Sequence, residues 1–392
     1  MRSLKVLIAS NGYGEDTIAC QLVKELKTKM PILTFKALPI VGEGKVYLSN
    51  RIEVLGPQRM MPSGGFVRMG PKYLLKDIQA GLLSLSIAQI RALKEEGKRS
   101  DLVITVGDTF LNTFCGFWTK KKTIFVSTAQ SINIGRFSLI DIWLMRRHSK
   151  VVFPRDEETA HYLRRFGIYA VYLGNIMMDC LQVTGSDMGI SSSTKVIGLL
   201  PGSKREAYRN LQYILEMVEE IGAQSKDDLP IFLLAVAPSL KMSEIKEVAN
   251  KKGWNFKNYK EMERLGGFQK GKIEIILSDK FGDVLNRADV VIGLSGTGNE
   301  QAVGLGKPVV TFPGDGPQMT LPFLLDQSRL LKGAVIVCPR NKEHVTKEVL
   351  SLLADPSRRE EIKRIGLERM GFAGGASRIV SYIISEIIPQ IQ

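Results

Sequence analysis

Cysteine and histidine are scarce in this 392-residue chain, with four of the first and three of the second. Cys20, Cys115, Cys180 and Cys338 nowhere make a C-x-x-C spacing, and His148, His161 and His344 are scattered. That distribution excludes a zinc site or a disulfide framework as the organising device, so no metal site is expected. So few histidines also argue against a histidine-centred triad, although a single catalytic one stays open. No apolar run reaches the roughly eighteen residues that span a bilayer, and the opening run Val6, Leu7, Ile8 reads as a strand rather than a secretory leader. The expected location is therefore the cytoplasm. Cationic runs interleaved with aromatics are missing too, which disfavours a nucleic-acid partner.

What is present is the balance of a folded globular protein, with 44% hydrophobic and 24% charged residues. The length exceeds one compact core and predicts two domains of roughly 150 to 200 residues. A net charge of +14 is unevenly placed: residues 1–178 hold 26 Lys and Arg against 14 Asp and Glu, a balance of +12, while residues 179–392 hold 28 against 26. The first half should attract anions, whether phosphorylated lipid, an anionic membrane surface or nucleic acid.

Short apolar runs followed by helical patterns recur along the chain. LKVLIAS precedes a helix expected near 15–29, DLVITVGD one near 110–118, and VIGLLPG one near 205–223. IFLLAVA, IEIIL, ADVVIGL, PVVTFPG and GAVIVCP continue the series. Strands alternating with helices, apolar on both faces, predict parallel βαβ units covered on each side. The Ser- and Gly-rich stretch LQVTGSDMGISSST reads as a connection over 181–195, dividing an N-terminal domain (1–180) from a C-terminal one (196–375). The final segment, 376–392, reads as an amphipathic helix that must bury its stripe on its own domain or on the first.

Residues 60–99 permit two readings. MMPSGGFVRMG precedes a helix expected over about 72–96, with Leu75, Ile78, Leu82, Leu85 and Ile90 at helical spacing. It is either a core-facing helix after a glycine loop or a membrane-docking element, in which Phe66 and Met69 interleave with Arg68 and Lys72.

Four loops carry candidate chemistry. After the first strand, Ser10-Asn11-Gly12-Tyr13-Gly14-Glu15-Asp16 offers glycines for a tight turn at a helix start. Thr17 stands where a dinucleotide fingerprint needs its third glycine, so a nicotinamide cofactor is weakly supported. Glu15 and Asp16 suit a sugar hydroxyl that must lose a proton, or they cap the helix. Asp108 ends the strand DLVITVG, where ligands collect in open α/β sheets, or is a turn residue. Pro201-Gly202-Ser203-Lys204-Arg205 combines a tight turn, a hydroxyl and two cations at a helix start, a phosphate cradle. Gly293 to Gln301 joins a strand to a second helix start through Ser295, Gly296, Thr297, Gly298 and Asn299, and two anion sites in one domain suit a diphosphate. Glu300 and Gln301, in the first turn, are placed to accept ribose hydroxyls.

Phe312-Pro-Gly-Asp-Gly-Pro-Gln318, the turn Pro201 to Arg205 and the segment Ser295 to Gln301 together resemble the donor half of lipid-A-disaccharide synthase, while Ser10 to Asp16 and PSGGF resemble the divergent lipid-A-disaccharide-synthase-related proteins. The resemblance covers essentially the whole chain. It implies a glycosyltransferase-B fold, two Rossmann-like domains with parallel sheets facing across a cleft. It also implies a UDP-sugar donor, no cofactor or metal, and a lipid acceptor at the inner face of the cell membrane, where the protein would sit peripherally. By position, Gly202, Ser203 and Arg205 match the family's diphosphate turn, Ser295, Gly296 and Thr297 its second phosphate loop, and Glu300 its ribose acid, with Gly298, Asn299, Gln301 and Gln318 completing the donor set. Lys204 stands where the family usually has arginine. Asp108 approximates the proposed base without the surrounding Asp-x-Pro-Asp, so Asp16, Glu15 and Asp108 share the catalytic expectation, and Asn11, Gly12 and Gly14 the acceptor one. A nucleotide-sugar epimerase of the same fold and a nucleic-acid-binding protein are the alternatives.

Overall fold

A computed structural model describes residues 3–57, 78–79, 81–225, 228–259 and 264–391. The chain divides into two compact units, one formed by Met1–Cys180 with Phe372–Gln392, the other by Leu181–Gly371.

In the first unit, β1 (Lys5–Ser10), β2 (Thr34–Pro39), β3 (Glu53–Val54), β4 (Leu102–Gly107), β5 (Thr123–Ser127) and β6 (Ser149–Pro154) form one sheet. Their order is β3-β2-β1-β4-β5-β6 and every described pairing is parallel. β4 is buried at all six positions because helices cover both faces. Right-handed crossovers send the chain leftward from β1 and rightward from β4, so the helices between β4 and β6 lie on the opposite face from the one after β1. Tyr13–Lys29 follows β1 and buries Ile18, Leu22 and Leu26. Thr109–Thr119 and Leu139–His148 form the other layer with Leu82–Arg99.

Of the helix expected over about 72–96, residues 72–77, Leu75 among them, and residue 80 lie outside the described residues; 78–79 are helical and the helix Leu82–Arg99 starts after Gly81. Its buried stripe is Leu85, Gln89, Leu93 and Glu96, whereas Ile78 is exposed and Leu82 and Ile90 are half-buried. Lys36 reaches Glu96 at 3.1 Å, which permits an acid on the core side. Phe66, Arg68, Met69 and Lys72 lie outside the described residues. At the chain's end, the helix Gly375–Tyr382 runs on through one wide turn (Ile383–Ile387) and buries Ile379, Val380 and Ile383 in the first unit. Lys29 ties it down, donating to Ser377 O at 2.9 Å and to Ser381 Oγ at 2.8 Å.

The second unit has β7 (Val196–Leu200), β8 (Ile231–Ala235), β9 (Asn255–Lys257), β10 (Gly266–Lys270), β11 (Ile273–Ser278), β12 (Val290–Gly293), β13 (Val309–Thr311) and β14 (Val335–Val337). Their order is β14-β13-β12-β7-β8-β11-β10-β9. Six strands are parallel, but β9 and β10 add an antiparallel edge that the apolar runs did not announce. β10 begins Gly266-Gly267 and offers Phe268 as its one large buried side chain, too little for a strand pattern. Residues 181–195 belong to this unit, where the Asp283 carboxylate accepts from the amides of Thr184 and Gly185 at 2.8 and 2.9 Å. Among the described residues no helix is long and apolar enough to cross a membrane.

Candidate functional site

In a sheet wound outward from its middle, the crevice opens at the carboxyl ends of the two strands where the winding reverses. For the second unit those strands are β7 and β12, paired from Val290–Ile197 to Gly293–Leu200. The turn after β7 and the loop after β12 are therefore neighbours: Leu294 N donates to Leu200 O at 2.8 Å. Gly202 takes φ 105°, and a Cβ there would stand 3.2 Å from Leu294 O, so both conformation and space call for glycine. Ser203 and Arg205 are exposed on this turn, Lys204 is half-buried, and the following helix runs Ala207–Gln224.

Ser295 is the N-cap of the helix Gly296–Gly304, its hydroxyl accepting from Gly298 N at 3.2 Å. The first amides of any helix lack intrahelical partners and favour an anion. Thr297 is exposed, Glu300 is half-buried in the second turn rather than the first, and Gln301 is buried. Gln318 comes from the loop after β13, its Oε1 lying 2.5 Å from where a Cβ on Gly296 would stand. Three separate loops thus meet at one strand edge.

Two residues that the motifs did not single out hold these loops together. Asn210 is buried in the helix after the first turn; its Nδ2 donates to Pro201 O at 3.2 Å and Asp315 O at 3.1 Å, and its Oδ1 accepts from Asp315 N at 2.8 Å. The Asp315 carboxylate meets Arg209 at 3.3 Å and the Tyr213 hydroxyl at 3.2 Å. Gln327 is also buried and donates to Gly296 O at 2.8 Å. Asn299 needs correction. It is fully buried, and its Nδ2 donates to Gly293 O at 3.2 Å and to Gln327 Oε1 at 3.1 Å, so it braces the loop from inside rather than facing a ligand. A polar residue in a helix's second turn is the available sequence signal for such braces, and it does not distinguish brace from ligand.

For the first unit the reversal falls between β1 and β4. Asn11 crosses it, its Oδ1 lying 2.0 Å from where a Cβ on Gly107 would stand. The helix after β1 starts at Tyr13 with Gly12 as N-cap, in extended backbone at φ −174°; neither Gly12 nor Gly14 takes the left-handed conformation that a glycine turn there would need. Glu15 lies beside Gly12, on the helix's first turn.

Asp16 is almost entirely buried and accepts from Ser10 Oγ at 2.6 Å; Ser10 Oγ is also 2.6 Å from the Tyr47 hydroxyl. Burial pushes the Asp16 carboxyl up to about 7, with the Ser10 bond pulling down and Glu15 pushing further up. Such a carboxyl exchanges protons near neutrality, whereas one in water does not. Asp108 is half-buried and accepts from Leu111 N at 2.9 Å as N-cap of Thr109–Thr119. It is thus a cap at the strand edge, and a cap that keeps one oxygen for its helix can still offer the other. Among the described residues no group of three His, Cys, Asp or Glu comes together as a metal set would.

Two sheets, parallel except for one antiparallel edge pair and each wound outward from a switch point, are a doubly wound α/β architecture in which ligands bind at the carboxyl ends of the strands. No protein-family model matches the chain. Over 260 residues it is 26% identical to a lipid-A-disaccharide synthase of Solibacter usitatus (strain Ellin6076), covering 60% of this chain and 61% of that protein. Over 267 residues it is 25% identical to a lipid-A-disaccharide synthase of Syntrophotalea carbinolica (strain DSM 2380 / NBRC 103641 / GraBd1), covering 61% of each. The chain is thus similar to lipid-A-disaccharide synthases over part of its length and spans 61% of the length of these relatives.

Solved structures resemble it over nearly its full length. The calicheamicin glycosyltransferase CalG4 matches with a TM-score of 0.63 at 14% identity, over 99% of this chain and 100% of that one. A UDP-N-acetylglucosamine 2-epimerase from Listeria monocytogenes, described as putative, matches with 0.60 at 16%, over 99% and 97%. The UDP-GlcNAc 2-epimerase from Neisseria meningitidis bound to UDP-GlcNAc matches with 0.58 at 16%, over 97% and 99%. The fold is that of glycosyltransferase-B enzymes and these epimerases.

Proposed function

We propose that the protein is a glycosyltransferase that takes a sugar from a UDP-sugar and transfers it, without a metal ion, to the hydroxyl of a lipid-linked acceptor at the inner membrane face. The observation that carries the donor half is the meeting of the Gly202–Arg205 turn, the helix start at Ser295 and Gln318 at the carboxyl ends of β7 and β12. A diphosphate leaving group gains two negative charges' worth of stabilisation from amides, the Ser203 hydroxyl and the Lys204 and Arg205 side chains, and Glu300 and Gln301 accept from ribose. The acceptor half rests on the relatives' names and on the basic first half of the chain.

In the transfer, the acceptor oxygen attacks the anomeric carbon, the bond from that carbon to the diphosphate oxygen breaks, and UDP departs with the electron pair. The acceptor's proton passes to a carboxylate of the first unit, Asp16 or Asp108 with Glu15 nearby, while Asn11, Gly12 and Gly14 line the acceptor's approach. An epimerase acting on the donor itself is the second reading, favoured by the full-length likeness to UDP-GlcNAc 2-epimerases.

One assay separates them. UDP and UDP-sugars are screened for a rise in melting temperature with and without chelator, then incubated with the protein, with and without membrane lipid extract. Transfer requires UDP release that depends on the extract and survives chelation. Interconversion of the sugar with no extract present means epimerisation, and absence of any stabilisation by UDP removes the donor role.

A further inference from the structure

Over its first two turns, Leu139 to Met145, the helix Leu139–His148 is apolar at every position but Asp141, although only one side meets the core. Ile142 and Met145 are buried against the sheet, whereas Leu139, Ile140 and Trp143 are 77%, 70% and 60% exposed. At 100° per residue these three fall within one 100° arc whose centre is about 140° from that of Ile142 and Met145, with Leu139 at its near edge. A helix apolar on opposite sides calls for two apolar surroundings, and the unit's core supplies one. Beside it packs Thr109–Thr119, close enough that a Cβ on Gly116 would stand 2.8 Å from His148 Cβ. This neighbour also turns aromatics outward, with Phe110 at 66% and Phe117 at 59%. Phe110, Phe114 and Phe117 recur at i, i+4 and i+7, one stripe, and Phe110 stacks on Phe114 at 5.9 Å between ring centroids.

Cations border this surface. Arg136 precedes the exposed arc, Arg146 and Arg147 follow it, and Lys120 to Lys122 follow the aromatic helix. Arg136, Arg146 and Arg147 are exposed and, among the described residues, none has a carboxylate partner. Such a border repels a second copy of the same basic surface but attracts an anionic lipid face. Tryptophan, whose ring is apolar and whose N–H stays wet, suits the bilayer interface. Helices that follow parallel strands begin at the sheet's carboxyl edge, so Phe110, two residues beyond the Asp108 cap, joins this surface to the edge where the first unit's candidate residues gather.

We propose that the outer face of these two helices, led by Leu139, Ile140 and Trp143 and bordered by Arg136, Arg146 and Arg147, docks on an anionic bilayer. This deepens the lipid-acceptor reading above by naming the surface that meets the lipid, one distinct from residues 58–77.

The test uses the full chain with vesicles of phosphatidylcholine alone or mixed with phosphatidylglycerol, at low and high salt, and no nucleotide. Wild type should sediment with the anionic vesicles, less so as salt rises. A variant carrying Leu139→Ser, Ile140→Ser and Trp143→Ser should partition on the order of tenfold less or weaker still. Arg146→Glu with Arg147→Glu should lose a similar factor on anionic vesicles alone. Lipids brominated in the acyl chain should quench tryptophan emission, and Trp143→Phe should remove most of that quenching, leaving at most the share of Trp118, which packs on Phe117 of the same face, since Trp254 is buried. Because the substituted side chains are exposed, UDP should stabilise these variants as it does wild type, which reports an intact fold. A serine variant that binds vesicles like wild type, or quenching that is undiminished in Trp143→Phe, overturns the proposal. So does a lipid-free dimer in wild type that the serine variant abolishes, since a second copy would then cover this face. Vesicle binding without any UDP effect would instead sink the donor reading and leave the docking surface standing.

Discussion

Asn210→Ala should loosen the candidate donor site without touching any group expected to contact the donor. The side chain makes three hydrogen bonds, two to carbonyls and one from an amide, and is almost wholly buried. At roughly 1 kcal/mol each, with the cost of leaving backbone groups unpaired added, truncation should destabilise the second unit by about 2–4 kcal/mol. For a unit of this size that lowers its melting temperature by roughly 5–12 °C. The loop at Asp315 then has to be ordered when ligand binds. Ordering one residue costs about 1–2 kcal/mol, so UDP should bind roughly 5- to 30-fold more weakly. Asn210→Asp keeps the shape and the acceptor for Asp315 N but sets a carboxylate against the carbonyls of Pro201 and Asp315, and should be worse than alanine. Calorimetric titration with UDP and thermal melting measure both effects. If Asn210→Ala melts within a degree of wild type and binds UDP within twofold, the three-loop assembly does not depend on this brace and the reasoning fails.

Glu300→Ala and Arg205→Ala should each weaken UDP binding by about 1.5–3 kcal/mol, the range for hydrogen bonds involving charged groups; unchanged affinity in both, measured by titration calorimetry, removes these residues from the donor role. Asp16 predicts a pH dependence of stability. Its carboxyl titrates near 7 in the fold against 3.8 in an unfolded chain, so between those values the folded state holds the extra proton. Stability is then lost as pH rises through about 7, by up to on the order of 4 kcal/mol, and Asp16→Asn should gain on wild type from pH 4 to pH 8. Denaturant melts across that range check the sign, and a difference that stays flat contradicts the buried carboxyl. If Asp16 is also the base, the acid limb of kcat/KM lies near 7 and is absent from Asp16→Asn, whereas an unaltered limb removes Asp16 from that role.

The alternation of apolar runs with helical patterns was enough to derive two parallel, doubly wound sheets, because strands covered on both sides must be apolar throughout and parallel strands need crossover helices. β4 and β7, buried along their whole length, carry that signal in its plainest form. Loops of the Pro201–Arg205 and Ser295–Gln301 type were legible for the same local reason, a strand followed by glycine and a helix start. The edge pair β9–β10 was not legible, since a short strand with one buried aromatic has no period of its own and forms because β11 offers it an open edge. Nor could local sequence separate ligand from brace. Ser295, Asn299 and Asn210 are all polar residues near helix starts, yet Asn299 and Asn210 are turned inward by partners more than 25 residues away. Asp16 differs from Glu15 by one position on its helix, and only packing against Ser10 and Tyr47 removes it from water and moves its carboxyl toward neutrality. The exposed arc of Leu139, Ile140 and Trp143 belongs to the same class: composition supplies the apolar residues, and tertiary packing decides that the core takes Ile142 and Met145 and leaves the others facing out, because one helix can present only one side to one sheet.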